Sequence, residues 1–136
     1  MRTKKQKSVY GIGVDICNVS RMSEKLLRHG DKFAKKLLTS SEYTIYITIE
    51  TITERARFAS KCWAVKEAFV KALGTGFTGD FQWGDIAYVS PGNQRPSILL
   101  SERAHYNRLM KNKKLHLSVS DEKMNVIAFV TIEEDE

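Results

Sequence analysis

The chain has 136 residues, 42% of them hydrophobic and 28% charged, with a formal net charge of +6. These values are typical of one globular domain with a single core, and no apolar run approaches the roughly 20 residues that span a membrane. The positive charge suits nucleic acid, a membrane surface or an acidic protein as a partner. Nucleic acid is disfavoured as that partner, because the chain has no zinc finger, no RNA-recognition aromatic motif and no basic run with interleaved aromatics.

The basic N-terminal end, residues 1–8, is expected to form a tail that leads into a strand. It is not typical of a signal peptide, because Asp15 interrupts the apolar stretch that follows. Cys17 and Cys62 are too few for a disulfide framework, which fits a reducing compartment. We therefore expect a cytoplasmic protein, or one in an organelle stroma if the basic end follows a removed targeting segment.

Residues 9–17 predict the first strand, because apolar residues alternate there with small or acidic ones. Tyr10, Ile12, Val14 and Ile16 share one face, and Gly11, Gly13 and Asp15 lie on the other. Glycines on a strand leave room for close approach, either by a ligand or by the backbone of a packed helix. The sequence leaves both alternatives open, and it places a carboxylate on the bare face.

A helix is predicted next, beginning at a cap on Asn18 or Ser20 and running to about Arg28. Arg21, Lys25 and Arg28 are spaced by four and three residues, which places them on one face. A solvated basic face is one interpretation, and a docking surface for an acidic helix is the other.

Residues 39–53 carry conflicting signals. The stretch TIYITIETIT alternates and is rich in β-branched residues, which favours a strand. Thr39 followed by Glu42 has instead the pattern of a helix cap. Beyond this segment, the residues from Glu54 to Leu73 predict the longest helix of the chain, because apolar residues recur there at helical spacing.

The end of this helix carries the most informative pattern. Glu67 lies one turn before Lys71, and the turn formed by Gly74, Thr75 and Gly76 follows. One interpretation is a surface ion pair between residues i and i+4 with a glycine C-cap. The other is a site for metal-bound phosphate, since a carboxylate can hold a hard cation and glycines let the backbone approach a ligand.

The second half of the chain predicts four strands and one helix. Strands are expected at residues 85–90, 96–100, 115–120 and 125–132, the last of them central, with a helix from Ser101 to about Lys111. His116 and Ser118 share one face, where they suit phosphate binding or proton shuttling, although a lone strand histidine is more often only hydrogen-bonded. The fold class is α+β, a mainly antiparallel sheet packed on one long helix, with the domain at residues 9–132 and an acidic tail at 133–136.

Three blocks of the sequence match a known family in order and spacing. GIGVDICNVSRM, RFASKCWAVKEAFVKALGTG and HLSVSDEKMNVIAFV resemble the holo-[acyl-carrier-protein] synthases, the short 4′-phosphopantetheinyl transferases, over about Tyr10 to Ile132. The resemblance implies transfer of 4′-phosphopantetheine from coenzyme A to a serine of apo-acyl carrier protein, with release of 3′,5′-ADP, in support of fatty acid biosynthesis. It also implies a homotrimer with sites between subunits, and it favours a helix for residues 39–53.

Roles for individual residues follow from the same resemblance. Asp15 and Glu67 would bind Mg²⁺ with the coenzyme A pyrophosphate, and Glu67, Lys71 and His116 would form the catalytic set. His116 would reach a coenzyme A bound mainly by the neighbouring subunit. The basic face of Arg21, Lys25 and Arg28 would receive the acidic carrier protein. The expected coenzyme A contacts are Lys71, Gly74, Thr75, Gly76, Arg95, Pro96, His116 and Ser118.

Two positions depart from the family pattern. Position 62 is usually arginine and is Cys62 here, which puts one phosphate contact in doubt, and position 121 is usually histidine and is Asp121 here. These departures keep an alternative open, namely a non-catalytic trimeric binding module on the same scaffold. A nucleic-acid binder is the least favoured hypothesis.

Overall fold

The computed structural model describes residues 6–135, and strands and helices alternate irregularly along them. The strands are β1 (Lys7–Asn18), β2 (Ile86–Val89), β3 (Ser97–Leu100), β4 (Lys113–Asp121) and β5 (Asn125–Asp135). The α-helices are α1 (Val19–Leu37), α2 (Ser40–Tyr46), α3 (Ile52–Leu73) and α4 (Glu102–His105). Single 3₁₀ turns lie at Trp83–Asp85 and Arg108–Met110.

Two antiparallel sheets and the long helix α3 make up the fold. The larger sheet has the order β1-β5-β4, and the smaller one pairs β2 with β3. The predicted α+β class and the central position of β5 are confirmed. Among residues 6–135, no helix combines the length and the apolar character that a membrane span requires.

Helix α3 packs directly on the glycine face of β1. A methyl group added at Gly11 would overlap the carbonyl oxygen of Ala72, and one added at Gly13 would overlap that of Ala68. The bare face of the strand therefore admits the backbone of a helix, which decides between the two interpretations of its glycines. The apolar face of β1 points the other way and is exposed, with Ile12 at 61% and Ile16 at 63% of full accessibility.

The first two helices begin at the predicted caps. Asn18 accepts a hydrogen bond from the Arg21 amide at 2.9 Å, and α1 kinks at Gly30, which has a φ of 65°. Thr39 and Glu42 form a reciprocal capping box that opens α2. The cap thus prevails over the strand-like pattern as far as Tyr46, and the prediction of a helix is confirmed for residues 40–46. Residues 47–51 are not helical and connect α2 to α3.

Two expectations about the C-terminal half were wrong. The predicted helix from Ser101 to about Lys111 stops after His105, because Asn107 is extended and its side chain caps a separate 3₁₀ turn through the Leu109 amide. The expected acidic tail is part of β5 as far as Asp135. Its charges lie beside lysines of the neighbouring strands, including Lys113, which pairs with Glu134 at 3.8 Å.

The predicted basic tail is also shorter than expected, because β1 already begins at Lys7. Residues 1–5 of that tail, and residue 136 of the acidic one, lie outside the described residues.

We expect Gly13→Ala to lower the free energy of unfolding by about 1–3 kcal/mol, because the new methyl group must push α3 away from β1. Urea unfolding measures the change. Gly92→Ala is the matched control, since a methyl group there meets no atom within 4 Å. Equal stability of the two variants would contradict the close packing of α3 on β1.

Candidate active site

The charged side chains of Asp15, Glu67 and Lys71 lie near one another where β1 packs on the last turns of α3. The Lys71 ammonium donates to Asp15 Oδ1 at 2.9 Å and to the Val14 carbonyl at 3.1 Å. Asp15 is mostly buried, with 14% of its side chain exposed, while Lys71 is half exposed. The lysine therefore pairs with the strand carboxylate, and the alternative of a surface ion pair between Glu67 and Lys71 was wrong.

The second oxygen of Asp15 is left without a partner. Asp15 Oδ2 is buried and accepts no hydrogen bond from the described residues. A buried carboxylate oxygen without a donor or a cation costs about 1–3 kcal/mol, and more when it is charged. Proteins keep such an atom where a ligand completes it.

Glu67 lies close enough to Asp15 for the two charges to interact. Burial raises the pKa of Glu67 above its ordinary value, the negative charge of Asp15 raises it further, and Lys71 partly offsets both effects. Two carboxylates that repel each other beside an oxygen with no partner have the properties of a cation site.

A hard divalent cation fits these groups. Among the described residues, no three His, Cys, Asp or Glu side chains cluster so as to hold a metal by themselves. Mg²⁺ tolerates this, since it commonly takes one or two carboxylates and completes its shell with substrate phosphates and water. Asp15 and Glu67 are therefore suited to hold Mg²⁺ together with an anionic substrate.

The glycine turn closes α3 immediately after Lys71. Gly74 has a φ of 81° and Gly76 a φ of 64°, both in the left-handed region that favours glycine. The amides of Gly74, Thr75 and Gly76 all point back to the Val70 carbonyl, at 3.0, 3.2 and 3.4 Å. The C-cap is confirmed, and these amides satisfy the end of the helix.

The remaining expected coenzyme A contacts lie elsewhere in the chain. Arg95 and Pro96 occupy the turn between β2 and β3. His116 and Ser118 are exposed on the sheet face opposite α3, and His116 bonds to Glu133 there. Within one chain, the structure does not bring these residues to Asp15.

Lys25 of the basic face of α1 contacts the middle of α3. Arg21, Lys25 and Arg28 are all exposed, as predicted from their spacing. The Lys25 ammonium lies 4.4 Å from the centre of the Trp63 ring, a cation–π contact. Because Trp63 lies one helical turn before Glu67, this contact places Lys25 of the basic face near the carboxylates.

The two departures from the family pattern lie away from the three charged side chains. Cys62 is fully buried, and this burial and then the Glu42 charge raise the pKa of its thiol well above the ordinary value. Asp121 pairs with Lys61 at 3.6 Å and with Arg57 at 3.5 Å. Neither residue contacts the carboxylates of the candidate site.

Sequence reasoning missed one buried ion pair near the site. Lys66, the residue before Glu67, is fully buried and bonds to Glu42 at 2.6 Å. The only available signals were a lysine at a buried position of the helical pattern and a glutamate in a capping box.

Comparison with known proteins decides the family. The family model described as the 4′-phosphopantetheinyl transferase superfamily matches residues 11–128. The chain is a member of this superfamily. The expectation of a 4′-phosphopantetheinyl transferase, drawn from the three sequence blocks, is thereby confirmed.

Individual relatives are similar to this protein over nearly the whole chain. A holo-[acyl-carrier-protein] synthase of Ruthia magnifica is 36% identical over 129 residues, which are 94% of this chain and 99% of that protein. The crystal structure of the synthase from Neisseria meningitidis has a TM-score of 0.83 at 28% identity, covering 92% of this chain and 98% of that one. The synthase of Bacillus anthracis, solved in complex with CoA (3′,5′-ADP), has a TM-score of 0.77 at 29% identity and covers 93% and 98%.

The raised pKa of Glu67 gives a pH-dependent prediction. Because the folded protein holds this proton more tightly than the unfolded chain, its contribution to stability is present at low pH and is lost as pH rises through the folded pKa. In metal-free buffer, Glu67→Gln should therefore gain stability relative to the wild type between about pH 4 and about pH 8. Thermal unfolding across that range measures the gain.

The control for this experiment is Glu50→Gln, which changes an exposed carboxylate between α2 and α3. A stability difference between Glu67→Gln and the wild type that does not change with pH would contradict the electrostatic description of the site.

Proposed function

We propose that the protein transfers 4′-phosphopantetheine from coenzyme A to a serine of an apo-acyl carrier protein, with Mg²⁺, releasing 3′,5′-ADP. The product would serve fatty acid biosynthesis. The observation that carries this proposal is the buried Asp15 oxygen without a partner, beside Glu67 and Lys71, in a member of this superfamily. The names of the relatives support the choice of both substrates.

Bound Mg²⁺ would neutralise the pyrophosphate and polarise a phosphoryl oxygen. Asp15 and Glu67 would hold it, and this contact would satisfy Asp15 Oδ2. Lys71 is half exposed and long enough to exchange part of its contact with Asp15 for a phosphate oxygen. Its charge would also offset the negative end of α3, which otherwise repels phosphate.

The reaction would be a displacement at phosphorus. The serine hydroxyl oxygen forms a bond to the phosphorus that carries pantetheine, the bond from that phosphorus to the bridging oxygen breaks, and 3′,5′-ADP leaves. The hydroxyl proton passes to a base or to solvent. Such a step depends on positioning and charge neutralisation more than on an activated enzyme nucleophile.

We also propose a homotrimer in which the exposed face of the larger sheet is the subunit contact. This face carries Ile12, Val14 and Ile16 of β1, with Ile127 and Phe129 of β5, all at least 40% exposed. A contiguous apolar patch on a single chain marks an interaction surface. A second copy is the fitting occupant, because the same face carries His116, which one chain holds away from its own Asp15.

The carrier protein would dock on the basic face of α1. Arg21, Lys25 and Arg28 offer positive charge at the border of the carboxylate site, and an acidic helix would present its serine toward Glu67. Such complementarity mainly raises the association rate, and the rate falls as salt rises.

Incubation of the protein with apo-acyl carrier protein, coenzyme A and Mg²⁺ should add the mass of one phosphopantetheine to the carrier. Asp15→Asn and Glu67→Gln should each reduce the rate at least about a hundredfold, because each removes a ligand of the metal. Intact-protein mass spectrometry measures the product. Glu50→Gln, in an exposed loop, should react like the wild type.

The same assay separates the enzyme from the binding module. Absence of the mass gain with the wild-type protein, while it still binds the carrier, would support the module and end the transferase proposal.

Phe129→Glu should dissociate the trimer into monomers, because it places a charge in the middle of the apolar sheet face. Size-exclusion chromatography with light scattering measures the mass, and the transfer rate should fall with it. Ile47→Glu is the control, since Ile47 is 51% exposed but lies after α2, away from the sheet face. Monomers in both variants and in the wild type would contradict the trimer.

A further inference from the structure

A buried ion pair joins the segments that surround α3. The Lys66 ammonium donates to Glu42 Oε1 at 2.6 Å, to the Leu37 carbonyl at 2.7 Å and to the Trp83 carbonyl at 3.1 Å. Both side chains are buried almost completely, with 0% and 1% exposed. All three donors of the ammonium are therefore used, and they connect α3 to the end of α1, to α2 and to the 3₁₀ turn.

Glu42 is equally well satisfied. Its Oε1 also accepts the Thr39 amide at 2.8 Å, and its Oε2 accepts the Tyr88 amide of β2 at 2.8 Å. One carboxylate thus ties the start of α2 to the smaller sheet and, through Lys66, to α3.

Stability alone is a weak reason for such a pair. Taking both charges out of water costs several kcal/mol per ion, and apolar residues of similar volume often serve equally well or better. An ion pair differs from an apolar contact in being directional, since its hydrogen bonds fix where each atom lies. The pair therefore specifies a geometry in addition to filling the core.

The geometry that it specifies is the rotation of α3. Lys66 and Glu67 are neighbours in the chain, so their side chains leave the helix about 100° apart. Three hydrogen bonds hold the Lys66 side chain toward the core, on one side of α3. Glu67, the next residue, therefore points to the side of the helix where Asp15 of β1 lies. The contacts of Gly11 and Gly13 with α3 fix the distance of the helix from β1, and the ion pair adds a directional restraint on the rotation of the helix.

We propose that Glu42 is a positioning residue for the cation site, acting through Lys66 to set the direction of Glu67. Glu42 touches neither the metal nor the substrates. The inference rests on the proposed function, because it requires that Glu67 hold a cation. Weakening the pair lets α3 rotate slightly and separates Glu67 from Asp15, so that metal affinity falls while the fold is kept.

The test measures binding of Mn²⁺ to the full-length protein by electron paramagnetic resonance, with 3′,5′-ADP present and then with coenzyme A. Glu42→Gln keeps the shape and, with its amide oxygen at the Oε1 position, the bond to Lys66, but it loses the charge and the acceptor for the Tyr88 amide. Glu42→Asp keeps the charge but shortens the side chain. We expect each to raise the Mn²⁺ dissociation constant by about tenfold to a hundredfold, as loss of a partner that orients a ligand commonly does.

The control is Ile132→Ala, which leaves a cavity at a fully buried residue of β5 whose strand partners are Gly11 and Leu115. Its melting temperature should fall while its Mn²⁺ affinity stays that of the wild type. Wild-type affinity in both Glu42 variants would overturn the inference and leave the proposed function intact. A wild-type protein that binds no Mn²⁺ would instead overturn the proposed function.

An independent measurement applies even to a poorly stable variant. The Mg²⁺ concentration that half-saturates transfer should rise in Glu42→Asp more than the KM for the carrier protein does. If Glu42→Asp lowers the fraction of folded protein but leaves the half-saturating Mg²⁺ concentration unchanged, the role of Glu42 is purely structural and the inference is overturned.

Discussion

The contact between the backbone of α3 and the glycines of β1 is the constraint on which the candidate site depends. Side chains at positions 11 and 13 would hold the helix away from the strand. Without them, the helix lies close enough for Lys71 to reach both Asp15 and the Val14 carbonyl. The strand supplies one acid and the helix supplies the other, so neither element forms the site by itself.

The electrostatics of the site favour a bound cation. Two carboxylates and one ammonium leave a negative excess, and one buried Asp15 oxygen has no hydrogen-bond partner within residues 6–135. Burial and then the neighbouring acid raise the pKa of Glu67, Lys71 partly offsets them, and a bound cation would favour the ionised form. Such an arrangement lowers the stability of the free protein and favours cation binding, as is common at functional sites.

Much of this arrangement was readable from the sequence, because its signals are local. The alternation in β1, the helical spacing in α3, the glycine C-cap and the Thr39 capping box each follow from a short stretch of chain. The sequence did not show what packs on the glycine face of β1, because either a ligand or a helix fits against a strand face without side chains. The pairing of Lys71 with Asp15 was missed for the same reason, because it depends on tertiary packing. Glu42 and Lys66 lie 24 residues apart, and no local pattern joins them.

The most direct test is a crystal structure of the protein with Mn²⁺ and coenzyme A, using the anomalous signal of the metal. We predict one metal peak bound by carboxylate oxygens of Asp15 and Glu67, directly or through a water, and by the pyrophosphate. The nucleotide should lie between subunits, with His116 of a neighbouring copy beside it. A metal bound elsewhere, or the two carboxylates pointing away from each other in the loaded protein, would contradict the account.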